Sequence, residues 1–104
     1  MNEIDVKIEG NLISELLNNN EAVDEAVLKL KPEYFFDRTY GIIFKVICNL
    51  HKKSHHINDV SVKNYFNNNK SIQFDDYEQI IDSLYLNYFT PGAYSENIDY
   101  INCH

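Results

Sequence analysis

The sequence predicts an all-α domain, a compact bundle of about five to six short helices. Apolar residues recur three and four positions apart along most of the 104 residues, which is the spacing of one helix face. The strict two-residue alternation of half-buried strands is missing. Only 3 Gly and 2 Pro are present, which disfavours turn-dense β folds. The length suits one domain, and 44% apolar residues are enough to build its core.

Two helices are predicted in the first third of the chain. The first covers about residues 5–17. Its apolar face is formed by Ile8, Leu12, Ile13, Leu16 and Leu17. The second covers about residues 21–30, with Asn20 as its expected N-cap. It ends before Pro32, because the residue before a proline is disfavoured in the helical region.

The third predicted helix, about residues 38–53, is the most apolar. Phe44 and Ile47 lie on its main apolar face and are predicted core residues. Ile42 and Cys48 make much of the remaining surface apolar as well. A helix that is apolar most of the way round is usually central, so we expect this one to be enclosed by the others.

Two more helices are predicted in the second half. One covers about residues 57–66, with Asn58 or Asp59 as its N-cap. The next is expected to begin after Asp75, with Glu78 at the third helical position in a capping box.

The breaks between helices are marked by polar residues, proline and glycine. The asparagine triplets at 18–20 and 67–69 each separate two apolar-periodic segments and read as loops. Thr90-Pro91-Gly92 ends the fifth helix, and a last helix is expected over about residues 94–103.

The charge balance disfavours direct nucleic-acid binding. Nine basic and 16 acidic residues give a formal charge of −7. A nucleic-acid surface must neutralise phosphates with Lys and Arg, and the only arginine is Arg38. We expect little or no direct DNA binding. Two short basic pairs, Lys29–Lys31 and Lys52–Lys53, are either solvated helix ends or sites for phosphate or an acidic partner.

The expected compartment is cytoplasmic. No apolar run approaches the ~18 residues of a membrane span, and the first residues lack the pattern of a signal peptide. Cys48 and Cys103 are far apart and belong to no motif, so a reduced protein is expected.

No catalytic, cofactor or metal site is predicted. The three glycines are isolated, which excludes a Gly-rich phosphate loop within these residues. His51, His55 and His56 lie near one loop; as metal ligands they would have to converge with a carboxylate or thiolate partner, and the favoured interpretation is solvated loop histidines. The acidic residues Asp75, Asp76, Glu78 and Asp82 are explained by capping or solvation. We therefore expect a non-enzymatic interaction module.

Two aromatic-rich stretches raise the question of an interface. In Tyr34-Phe35-Phe36, the favoured interpretation is that Phe35 and Phe36 fill the gap between helices and Tyr34 is partly exposed; the alternative is an exposed aromatic anchor. The aromatics in residues 85–89 exceed what one helix face can bury. The candidate interface residues are Tyr34, Tyr85, Tyr88 and Phe89.

These segments, in their order and spacing, resemble the N-terminal domain of DnaB-type replicative DNA helicases. The resemblance is carried by EGNLISELL at 9–17, LKPEYFF at 30–36, IIF at 42–44, Leu50 with Ile57, Asn58, Ser61 and Val62, TPGA at 90–93 and NIDY at 97–100. Tyr40 departs from the family pattern, since a histidine usually stands there, and His56 and Asn58 replace the usual Pro and Asp.

The resemblance implies that residues 1–104 form the helicase head domain, and that the helical hairpin, linker and ATPase motor of the family lie outside them. It also implies a collar on a hexameric ring, with other helicase subunits, primase and, as a further candidate, a helicase loader as partners. ATP and Mg²⁺ would belong to the motor of the parent helicase. The alternative is a free-standing helical adaptor or regulator of replication, from a phage or plasmid. A small enzyme with an unrecognised site is a third hypothesis.

Overall fold

The computed structural model describes residues 3–87 and 92–103. These residues form six α-helices and two short 3₁₀ turns, and none of them lies in a strand. In chain order the helices are α1 Glu3–Asn18, α2 Asn20–Lys29, α3 Arg38–Lys52, α4 Asp59–Asn67, α5 Tyr77–Leu86 and α6 Tyr94–Cys103. The 3₁₀ turns are Pro32–Tyr34, before α3, and Lys70–Ile72, before α5. The all-α prediction is confirmed.

The core lies around α1, which packs against α2, α3, α5 and α6. Its buried apolar residues are Leu12, Ile13, Leu16 and Leu17. Helix α3 packs against α1, α2, α4 and the first 3₁₀ turn. Phe44 and Ile47 have no exposed surface, as predicted. The expectation that α3 is enclosed was only partly right, because Ile42 and Cys48 are only half-buried and one side of the helix faces solvent.

Side-chain caps begin three of the helices. Asn58, one of the two predicted N-caps, begins α4, and it forms a capping box with Ser61 that the sequence analysis did not predict. Asp37 caps α3, where its carboxylate accepts a hydrogen bond from the amide of Tyr40. The cap of α2 is Asn19 rather than the predicted Asn20, so that helix begins one residue earlier.

The predicted capping box at Asp75 and Glu78 is wrong. Helix α5 begins at Tyr77, and the preceding Asp76 is in the left-handed region with φ 61° and ψ 28° and makes no side-chain cap. The approach to the helix is set by packing, since the Phe74 ring lies edge-on to the buried Phe66 at 5.3 Å. The chain then has to turn sharply before the helix, and aspartate tolerates the left-handed conformation this turn needs.

Polar side chains on α1 fasten the distant end of α5. The hydroxyl of Ser14 donates a hydrogen bond to the carbonyl of Leu84 at 2.6 Å, and the Asn18 amide donates to the carbonyl of Tyr85 at 3.0 Å. The last carbonyls of a helix have no partner within it, so these contacts satisfy two that would otherwise be left open. The buried Glu15 carboxylate accepts from the amide of Gly92 at 3.0 Å and fixes the start of the segment leading into α6.

Among the helices of the described residues, none is long and apolar enough to cross a membrane.

Candidate interaction surfaces

The four predicted interface residues are placed differently by the fold. Tyr34 ends the first 3₁₀ turn and is 41% exposed. Tyr85 lies on α5, half-buried against the core. Tyr88 and Phe89 lie outside the described residues. Of the two that the structure places, Tyr34 therefore offers more surface to a partner.

Residues 34–36, which we call the aromatic turn, form the most exposed aromatic group among the described residues. Phe35 points into the core and its ring centroid is 5.0 Å from that of Phe44. Phe36 is 56% exposed, so the prediction that it fills a gap between helices was wrong. The chain leaves the 3₁₀ turn in an extended conformation at Phe35, and neighbouring residues of an extended chain point to opposite sides. Burying Phe35 thus turns Phe36 outward, next to the exposed Tyr34.

A buried carboxylate holds the aromatic turn in place. Glu9 on α1 is 4% exposed, and its two oxygens accept hydrogen bonds from the amides of Phe36 at 2.7 Å and Asp37 at 2.9 Å. These amides immediately precede α3, so the carboxylate lies at the positive end of the helix dipole. Hydrogen bonds to an ionised acceptor are stronger than those between neutral groups. The backbone that carries Phe36 is therefore fixed to α1.

The aromatic turn also packs closely against α3, at Gly41. A Cβ atom at Gly41 would lie 3.1 Å from the carbonyl oxygen of Pro32 and 3.5 Å from the Cβ of Phe35. The missing side chain lets the turn and the first part of α3 pack tightly. Rigidity of this kind lowers the ordering cost that an exposed aromatic contributes to binding.

A cleft of about 540 Å³ opens beside the aromatic turn. It is lined by Asp5, Glu9, Glu33, Tyr34, Phe35, Phe36, Tyr100 and Ile101. The hydroxyl of Tyr100 donates a hydrogen bond to Asp5 at 2.7 Å, and this bond raises the pKa of Tyr100 above its usual value. The charged groups of the cleft are all carboxylates. Its chemistry suits a partner with an apolar side chain and a cation beside it.

The second aromatic-rich stretch is only partly described. Leu86, at the end of α5, is 77% exposed, whereas Tyr85 before it is half-buried. The carbonyl of Tyr85 is held by Asn18, so the end of this helix is well fixed. Residues 85–86 add apolar surface to this second candidate interface, and the contribution of Tyr88 and Phe89 stays a prediction.

The histidines and cysteines are spread over separate surroundings. His51 lies 3.0 Å from the Asp24 carboxylate, while His55 and His56 are exposed. Burial raises the pKa of the Cys48 thiol to about 11, a shift that Lys52 partly opposes, so this thiol stays protonated at neutral pH. Cys103 is exposed. Within residues 3–87 and 92–103, no group of three or more His, Cys, Asp or Glu side chains is placed to hold a metal ion.

Two features of the aromatic turn escaped sequence reasoning. Phe36 and Glu9 act together, but Glu9 reads in the sequence as one more acidic residue on the polar side of α1. The available signal was its position between Ile8 and Leu12, close to the apolar face of that helix. A carboxylate there is either exposed at the margin of the face or buried with donors of its own.

Comparison with known proteins identifies a family. A family model described as the DnaB-like helicase N terminal domain matches residues 1–101. No curated protein and no solved structure gives a significant match.

Proposed function

Because the chain belongs to the family of DnaB-like helicase N-terminal domains, we propose that it is the protein-interaction domain of a hexameric replicative DNA helicase. It contributes to the collar of the ring and contacts other helicase subunits and primase or a helicase loader. ATP binding with Mg²⁺ and strand separation belong to a motor domain of the parent helicase, and the residues of this domain supply no part of that chemistry.

The aromatic turn is the observation that carries this proposal. Tyr34 and Phe36 are exposed on a backbone that Glu9 and the Gly41 contact hold in one conformation. Aromatic side chains that are presented rigidly are the residues that most often dominate protein interfaces. The neighbouring carboxylates of Asp5 and Glu33 favour a partner surface that is apolar at its centre and basic at its rim.

The proposal is tested by titrating the 104-residue chain with the replicative helicase and the primase of the same genome. We expect the chain to bind at least one of them, measured by isothermal titration calorimetry. The double variant Tyr34→Ser/Phe36→Ser should weaken this binding by about thirtyfold or more, which corresponds to the ~2 kcal/mol of an interface hot spot. Leu28→Ser is the matched control, since Leu28 is 85% exposed on α2 and lines neither the aromatic turn nor its cleft.

The outcomes separate the hypotheses. Unchanged thermal unfolding of the double variant, together with weaker binding, supports the proposal. Failure of the unaltered chain to bind either protein at about 100 μM would reject it, because collar contacts of this weakness could not hold a complex. A free-standing adaptor would also bind the helicase but would in addition change its rate of ATP hydrolysis, which a collar domain added in excess should leave unchanged.

A further inference from the structure

The exposed side of α3 carries three cations in a row. Arg38, Lys45 and Lys52 are seven residues apart, and all three side chains are exposed. Seven residues are close to two helical turns, so the three lie nearly above one another with a rise of about 10 Å between neighbours. We propose that this basic row binds an acidic amphipathic helix of a partner protein, which lies along α3. The inference depends on the proposed function only in that the domain acts through protein contacts.

The row has no internal partner among the described residues. The ion pairs there join Lys29 to Glu25 and Asp99, His51 to Asp24, and Lys63 to Asp82. None of them uses Arg38, Lys45 or Lys52. The chain has 16 acidic residues and nine basic ones, so three aligned cations that make no ion pair within the described ranges leave a local positive surface on an acidic domain.

Local helix stability does not account for the row. A cation in the last turn is favoured by the helix dipole, and this explains Lys52. Arg38 is the first residue of α3, where the dipole disfavours a positive charge, and Lys45 is in the middle, where the effect has faded. The helix dipole therefore does not explain why cations recur every seven residues along α3.

The row forms a ridge between two clefts that are partly apolar. The cleft on the α2 side has a volume of about 600 Å³ and includes Val27, Leu30 and Cys48, a further lysine, Lys31, and one carboxylate, Glu33, against the three lysines that line it. The cleft on the α4 side has about 540 Å³ and includes Ile42, Val46, Ile72 and Phe74. Lys45 and Asn49 line both clefts. A partner that follows the ridge would place apolar side chains in the clefts and acidic ones on the row.

An α-helix fits this arrangement better than a nucleic acid does. Acidic residues seven apart on a partner helix repeat at the same ~10 Å as the row, and an amphipathic helix packs its apolar side chains into grooves of this kind. Phosphates along one strand of a duplex repeat at about 3.4 Å, and most of them would meet no cation here.

A second copy of the chain is not the matching partner. Acidic residues seven apart occur once in the sequence, at Asp75 and Asp82, and no third acid continues the series. Asp75 lies before α5, and Asp82 is already paired with Lys63 at 2.7 Å. Residues 1–104 therefore do not contain the complementary helix, and we assign it to a partner protein. The surface also differs from the aromatic turn, since the cleft on the α2 side shares only Glu33 with the cleft beside that turn.

The test uses the 104-residue chain and two synthetic fluorescent peptides of about 21 residues. One peptide has Glu at three positions seven apart and Leu beside them; the other has the same composition with the Glu residues moved off that spacing. Fluorescence anisotropy should show at least about tenfold tighter binding of the first peptide, and binding that weakens with added salt. Amide shifts in NMR spectra should change along residues 38–52.

Charge reversal provides the specific control. Lys45→Glu should weaken binding of the first peptide at least about tenfold, because a like charge then faces the peptide. Lys7→Glu makes the same change of net charge at an exposed position of α1 that lines neither cleft, and should leave the affinity unchanged.

Three results would overturn the inference: equal binding of the two peptides, amide shifts that lie away from α3, or a single-stranded oligonucleotide that displaces the first peptide and binds more tightly. None of them would affect the proposed collar function, which is tested separately with variants of Tyr34 and Phe36. Conversely, peptide binding along α3 combined with failure of the helicase and primase titration would reject only the collar assignment.

Discussion

Substitution of Glu9 tests how the core shapes the aromatic turn. Glu9→Gln keeps the size and shape of the side chain but replaces one acceptor oxygen with an NH₂ group. Two backbone amides face this side chain, at 2.7 and 2.9 Å, and the amide of Gln can accept from only one of them. The other N–H then meets a donor and loses its hydrogen bond.

The expected loss follows from these two contacts. A hydrogen bond to a charged acceptor contributes about 1.5–3 kcal/mol, so losing one should lower the free energy of unfolding by ~2 kcal/mol. For a domain of this size, each kcal/mol shifts the melting temperature by about 4–8 °C. Glu9→Gln should therefore melt about 8–16 °C lower in a thermal scan followed by circular dichroism. Glu9→Ala, which removes both acceptors, should cost more.

The matched control is Glu33→Gln, which alters an exposed carboxylate in the adjoining 3₁₀ turn Pro32–Tyr34. It should change stability by no more than about 0.5 kcal/mol, as most surface substitutions do. If Glu9→Gln fell within that same range, the carboxylate would not be holding the turn. Glu9→Gln could also lose affinity for helicase or primase and regain it at lower temperature. That result would link the hydrogen bonds from Glu9 to the presentation of Phe36.

Further predictions concern the core, nucleotide and pH. Phe44→Ala should lower the free energy of unfolding by ~3–5 kcal/mol, because the ring is fully buried against Phe35. Val60→Ala, at a 54% exposed position, is the control and should have little effect. Similar losses for the two variants in denaturant titrations would mean that α3 is misplaced. ATP with Mg²⁺ should leave the melting temperature unchanged, whereas binding at a hundredfold excess over Kd would stabilise the domain by ~2.7 kcal/mol. The pKa of Cys48 is raised from 9.0 to about 11, so the folded chain keeps a proton that the unfolded chain releases. Keeping this thiol buried therefore costs nothing below pH 9 and lowers the free energy of unfolding as the pH rises towards 11. In urea titrations, the free energy of unfolding of Cys48→Ala should fall less over that interval than that of the unaltered chain. An equal fall would contradict the assignment.

The N-caps of the helices show which helix starts can be predicted from neighbouring residues alone. Asn58 caps α4 through contacts within four residues, and the sequence was sufficient to narrow this N-cap to Asn58 or Asp59. The start of α5 depended instead on Phe74 packing against Phe66, eight positions earlier in the chain, and the local pattern at Asp75 and Glu78 was misleading. A cap is predictable where both partners are neighbours, and not where packing elsewhere decides how the chain enters the helix.

The sequence by itself determined where the helices lie and which side of each faces the core. Period and caps are local properties, and burial of Phe44 and Ile47 follows from them. Only the tertiary structure decided which aromatic of the turn is exposed, because residues 34–36 have no helical period and the carboxylate that holds them is 27 positions from Phe36. The same holds for the basic row. The spacing of Arg38, Lys45 and Lys52 is visible in the sequence. Whether any of them forms an ion pair depends on where the fold places the 16 acidic residues.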